Sequence, residues 1–175
     1  MGYEALQTNT TGNFNTALGS QTLKLNTTGQ GNVAVGKQAL YSMNTADGND
    51  NNIAIGTSAL YTAGGSSNVA LHNIAIGTNA LKLNQTGDFN IAIGANASKT
   101  LTSANKTIAI GESALRGVAT QDGTIAIGYQ SLTALTDGAG NVAVGYEASH
   151  DVTEGVNNTS VGYQANDKVT TNSHN

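Results

Sequence analysis

Side chains able to act as acid, base, nucleophile or metal ligand are few in this chain, and their spacing gathers none of them. The 175 residues include three histidines, His72, His150 and His174, and no cysteine. The histidines lack metal-ligand spacing, and without cysteine neither a thiolate site nor a disulfide can form. Asp47, Asp50, Asp137, Asp151 and Glu154 fall in stretches rich in Asn, Thr and Gly, where a carboxylate is a solvated turn residue rather than half of an acid–base pair. The expectation is a protein that is not an enzyme and uses no cofactor and no metal.

Two other sets do carry a pattern. Tyr129, Tyr146 and Tyr163 follow one another at equal intervals, and Tyr3 keeps the same phase. Rows of exposed aromatic rings stack on sugars, so the three are candidate receptor or glycan contacts. The competing reading is ring-on-ring stacking that stabilises a sheet. Asn15, Asn32, Asn52, Asn73, Asn90, Asn141 and Asn158 form the second set, with Thr107 and Thr124 completing it. Stacked in register they make an amide ladder, each side chain bonding its equivalents above and below, which is a structural role.

Glycine sets the elements that place these residues. Gly2, Gly19, Gly36, Gly56, Gly77, Gly94, Gly111, Gly128, Gly145 and Gly162 recur with one period, and only the steps from Gly36 to Gly56 and from Gly56 to Gly77 are longer. Counting from each glycine, positions −3 and −1 are branched aliphatics in most copies (Val33/Val35, Ile53/Ile55, Ile91/Ile93), with a small residue between them. Alternation with period two and β-branching predicts a short strand ended by the glycine, which serves as a structural turn. Ala and Leu at +3 and +4, as in Ala39 and Leu40, return an apolar side chain inward. A polar arc such as Asn26-Thr27-Thr28-Gly29 then closes the coil with turn residues.

A fixed short period means one structural unit per repeat, stacked on its neighbours. The fold class is therefore all-β, a parallel β-solenoid of about ten coils of 17 residues over 1–166, followed by a polar C-terminal tail, 167–175. Ile, Val, Leu and Ala are expected to fill its interior. Ten coils at the spacing of paired strands give a rod about 45 Å long. The two lengthened arcs, around residues 45–50 and 62–67, are candidate binding edges. In the second, Asn68-Val69-Ala70-Leu71 imitates the strand phrase with His72 where glycine would stand, so His72 joins the candidate contacts.

Charged residues make up only 10% of the chain, with a net charge of −4. The seven Lys and Arg residues occur singly, which argues against nucleic acid as a partner, and apolar runs are too short for membrane insertion. The repeat register begins at once after Met1, which suggests a piece of a longer protein or a component exported without a secretion signal.

The phrase Asn-Val/Ile-Ala-Val/Ile-Gly-x-x-Ala resembles the head repeat of trimeric autotransporter adhesins of the YadA type. Asn15-Thr16-Ala17-Leu18-Gly19 is similar to repeats in the tail fibres of phages and large viruses. The resemblance implies a left-handed β-roll, a homotrimer around one axis, and attachment to a host cell-surface glycan or protein. It further implies an extracellular location, on a virion fibre or a cell surface. Ala34, Ala54, Ala75, Ala92, Ala109, Ala126 and Ala143 would then face away from the core, letting three sheets approach. The adhesin coil is shorter than the repeat here, and the stalk and membrane anchor that would mark an autotransporter are not in this sequence.

The most direct reading is a structural and attachment module of a phage or viral tail fibre, with a bacterial adhesin head as the alternative. A carbohydrate-active or acyl-transferring solenoid enzyme is more remote. Its hexapeptide pattern does not continue through the coil, and 17 is not a multiple of six. An ice-binding solenoid would need regular Thr rows, and Thr here lies mostly in turns.

Overall fold

A computed structural model of the chain describes residues 2–42, 51–62, 70–117, 122–168 and 170–171. Nine strands of three residues each run in order from β1 (Thr16–Leu18) through β2 (Val33–Val35), β3 (Ile53–Ile55), β4 (Ile74–Ile76) and β5 (Ile91–Ile93). They continue through β6 (Ile108–Ile110), β7 (Ile125–Ile127) and β8 (Val142–Val144) to β9 (Thr159–Val161). All nine lie in one parallel sheet in sequence order. Ile91 faces Ile108, Ala92 faces Ala109 and Ile93 faces Ile110, and the same register joins every neighbouring pair. The chain is a parallel β-solenoid, as its period predicts. Both longer intervals keep the register, since Val33 pairs with Ile53 and Ile53 with Ile74. The lengthened arcs themselves, 43–50 and 63–69, lie outside the described residues, as does His174.

Inside and outside are reversed relative to expectation. Ala34, Ala54, Ala75, Ala92, Ala109, Ala126 and Ala143 are fully buried, while the Val and Ile residues beside them are half-buried or exposed. The alanines do not face away from the core, and the branched aliphatics do not fill it. The cause is space. So short a coil encloses a narrow interior, and Leu23, Leu40, Leu60, Leu81, Leu115 and Leu132 project into it from the segment after the glycine. Opposite them the strand has room for a methyl group.

That segment is not a second strand. Its backbone alternates in hand, with Gln38 at φ 58° and Leu40 at φ 49°. The Gln38 N–H donates down to the Ser20 carbonyl (2.9 Å) and the Leu40 N–H donates up to that of Ala59 (3.0 Å), so the segment bonds both neighbouring coils. A left-handed leucine costs about 1–2 kcal/mol. Complete burial of its side chain contributes about 1.5–3 kcal/mol, so the arrangement is favourable on balance.

The glycine before it tolerates nothing larger. At Gly36 φ is 121°, and an added Cβ would lie 2.8 Å from the carbonyl carbon and oxygen of Gly56 in the next coil. Backbone rests on backbone at this bend.

The asparagines hold the other end of each strand. The Asn73 N–H donates to Asn52 Oδ1 (2.9 Å), and that of Asn90 donates to Asn73 Oδ1 (2.9 Å). The amide nitrogens of Asn73 and Asn90 donate to carbonyls in the arc of the next coil, Gly87 (2.9 Å) and Ala104 (2.8 Å), while those of Asn32 and Asn158 donate to the amide oxygen of the preceding asparagine (3.1 and 3.2 Å). The ladder therefore runs mainly from side chain to backbone, rather than from amide to amide. Thr107 fits because its N–H and its hydroxyl both donate to Asn90 Oδ1 (3.0 and 2.8 Å).

Three coils depart from the Leu pattern at +4, with Ser98, Ser149 and, in the last coil, Asn166. After the two serines Leu101 and Val152 are buried three residues later, refilling the volume. The Ser149 hydroxyl donates to the Ser160 hydroxyl (2.8 Å), whereas that of Ser98 has no hydrogen-bond partner. Stacking also reaches Asp167 and Thr170, whose carbonyls accept from the N–H groups of Asp151 and Thr153.

Candidate functional site

Turning the alanines inward turns the branched side chains out. Val33, Ile53, Ile74, Ile91, Ile108, Ile125 and Val142 form one column on the outer face of the sheet. Val35, Ile55, Ile76, Ile93, Ile110, Ile127 and Val144 form the other. Ile55 is 38% exposed and Ile93 36%. Nine strands at the spacing of paired strands make this face about 40 Å long. The apolar exposure is thus gathered in register on one face rather than scattered.

The tyrosine row lies just past the glycine bend. Tyr129 and Tyr146 stack at 5.1 Å between centroids and 19° between planes, and Tyr146 and Tyr163 at 5.3 Å and 11°. Both faces of Tyr146 are therefore taken by rings. A sugar placed face-on meets the outer faces of Tyr129 and Tyr163, and between stacked rings it meets edges and hydroxyls. Tyr163 is the most open of the three, at 71% exposed. Partial burial pushes the Tyr146 hydroxyl above its ordinary pKa, helped by the negative charge of Glu147 beside it. Glu147 in turn accepts from Gln164 Nε2 (2.7 Å).

His72 does not occupy a glycine position. It sits five residues before Gly77 with φ 56°, in phase with Phe89, and the two rings stack at 4.9 Å and 8°. The phrase before it misleads because it matches the strand in composition but not in register.

Sequence reasoning missed a further column. Five residues after the glycines from Gly19 to Gly145 stand Lys24, Tyr41, Tyr61, Lys82, Lys99, Arg116, Thr133 and His150, with Gln7 and Asp167 at the two ends. Tyr41 and Tyr61 stack at 4.9 Å and 11°, with Lys24 Nζ and Lys82 Nζ each 5.8 Å from the nearer ring centroid. This sandwich places a cation at each end of an aromatic pair. Lys24 also bridges Glu4 at 2.7 Å. That hydrogen bond holds the Glu4 carboxyl below its ordinary pKa and the Lys24 ammonium above its own. Among the described residues Lys82, Lys99 and Arg116 have no acidic partner. The signal was legible, since these three cations keep the glycine period themselves. Cations that look single along the chain become neighbours on the rod.

Comparison with protein-family models, with curated proteins and with solved structures returns no match.

Proposed function

We propose that this chain is a structural and attachment module of an extended homotrimeric fibre, either a phage or viral tail fibre or the head of a surface adhesin. The outer face of the sheet carries the proposal. Two columns of half-buried to exposed Val and Ile run from β2 to β8, each residue in register with the next. A second and a third copy of the chain present the same columns at the same spacing, so the strip matches itself. Packing three such faces around an axis removes from water what a single rod leaves exposed. The resemblance of the repeat phrase to fibre and adhesin repeats supports the same reading, with attachment to a host-surface glycan or protein through the outward columns. In this arrangement the alanines, being inside each coil, play no part in the trimer contact. Val and Ile make it.

Mass in solution tests the assembly. Light scattering is expected to return three times the 17.7 kDa of one chain. Ile93→Lys, on the outward face of a central strand, is expected to give monomers that keep their β-sheet circular dichroism. A wild-type chain that is monomeric at every concentration overturns the proposal.

A further inference from the structure

One rung past the aromatic sandwich, the rod has a notch. Six residues after the glycine the coils carry Leu83, Thr100, Gly117, Ala134 and Asp151, so two successive positions have almost no side chain. Beside them opens a cleft of about 420 Å³ that Gly117 and Ala134 help to line, with the Cβ direction of Gly117 closed by the Leu135 carbonyl of the next coil. Lys99, Arg116 and Thr133 line it from three successive rungs of the column five residues after the glycine, and Thr136 lines it from the arc. Its volume falls within the range that takes a small ligand.

We propose that this notch binds an acidic sugar of a surface glycan, with Lys99 and Arg116 holding its carboxylate or sulfate group. The proposal names the ligand class for the attachment reading above and rests on it. Four observations favour such a ligand. Both cations lack an acidic partner among the described residues, so an incoming anion displaces no ion pair. Arginine adds a planar fork suited to two oxygens of one anion. The threonine hydroxyl hydrogens are already committed, Thr133 to the Gln130 carbonyl (2.8 Å) and Thr136 to that of Thr153 (3.1 Å). Their oxygens keep acceptor capacity for the hydroxyl groups of a sugar. Finally, neither nearby carboxylate belongs to the lining: Asp137 follows Thr136 on the arc, and Asp151, one rung beyond Ala134, bonds His150 Nδ1 (2.7 Å).

The test uses the whole chain, titrated and followed by NMR with a sialylated trisaccharide, a sulfated disaccharide and neutral lactose. Binding of the sialylated or the sulfated sugar is expected, and the stronger of the two identifies the anion. Affinity should fall roughly tenfold in Lys99→Gln and again in Arg116→Gln. It should weaken as ionic strength rises. Ala134→Leu enlarges a lining side chain without altering charge and should abolish binding, whereas Lys37→Gln, on a different column, should leave it unchanged. Equal binding of neutral lactose, stronger binding of a single-stranded oligonucleotide, or indifference to both cation substitutions overturns the notch assignment. Light scattering on the same samples separates the two proposals. Trimers that bind no acidic sugar reject the notch alone, and monomers that bind one reject the trimeric fibre alone.

Discussion

At the strand edge Val33, Ile53, Ile74 and Ile91 stand in register although the three steps between them differ in length. On the arc, the inward residue changes from Asn26 and Asn84 to Leu101, Leu135 and Val152. The two sides of the coil accept change differently because they make contact differently. At the bend, backbone lies on backbone and leaves no volume to trade. On the arc, side chains fill the interior, and a loss at one position is made good three residues on. Sequence constancy along this rod follows backbone contact more closely than burial.

Two glycines put that contrast to its hardest test. Gly36→Ala must push a methyl group into the next bend at positive φ, and a loss of roughly 3 kcal/mol or more is expected. Gly123, on an arc, also has positive φ (74°), but nothing lies within 4 Å of an added Cβ. Gly123→Ala should cost only the conformational term, about 1–2 kcal/mol. Urea denaturation of both variants measures the difference. Equal losses would mean that close approach is not what selects glycine at the bend.

Asn90→Leu comes next in size. It leaves the Thr107 N–H, the Thr107 hydroxyl and the Ala104 carbonyl without this partner in a buried setting, for an expected loss of about 2–3 kcal/mol. The exchange rate of the Thr107 amide should rise with it.

The two serines at the Leu position give smaller and opposite effects. Ser160→Ala strands the Ser149 hydroxyl and should cost about 1–2 kcal/mol. Ser98→Ala removes a buried hydroxyl that has no partner, so stability should hold or rise slightly. A marked loss in Ser98→Ala would show that the arc is packed as strictly as the bend.

The smallest effect expected is a pH dependence at the first coils. The Glu4 pKa is lowered in the fold, so its contribution is present above the ordinary carboxylate range and is lost as pH falls below about 4. The Lys24 pKa is raised, so its share persists until pH climbs past the ordinary lysine value, about 10. The protection factors of the Gln21 and Leu23 amides, measured against the intrinsic exchange rate at each pH, should therefore be flat between these limits and fall outside them.

Much of this architecture was legible in the sequence. The period located all nine strands, since the Val-Ala-Val and Ile-Ala-Ile phrases are the strands, and glycine spacing predicted parallel stacking in register. What the phrase could not give was its facing. Alternation with period two distinguishes two faces but does not say which is inside, and bulk argued for the wrong one. The deciding fact is how little room so short a coil leaves once Leu40 and Leu60 enter it from the far side. The cationic column was hidden for a similar reason. Lys82, Lys99 and Arg116 keep the period, but their meaning depends on knowing that the chain has left the core five residues after the glycine. The tyrosines were visible as a row, while the stacking that takes up both faces of Tyr146 depends on ring orientation.

The asparagine ladder has a direction. Asn52 offers its oxygen to the N–H of Asn73 and its NH2 group to the Ala70 carbonyl, both of which come later in the chain, and Asn73 does the same for Asn90 and Gly87. The two ends of the rod are therefore chemically different: at these rungs the side chain offers an acceptor and a donor toward the carboxyl end, while the backbone N–H takes its acceptor from the coil before.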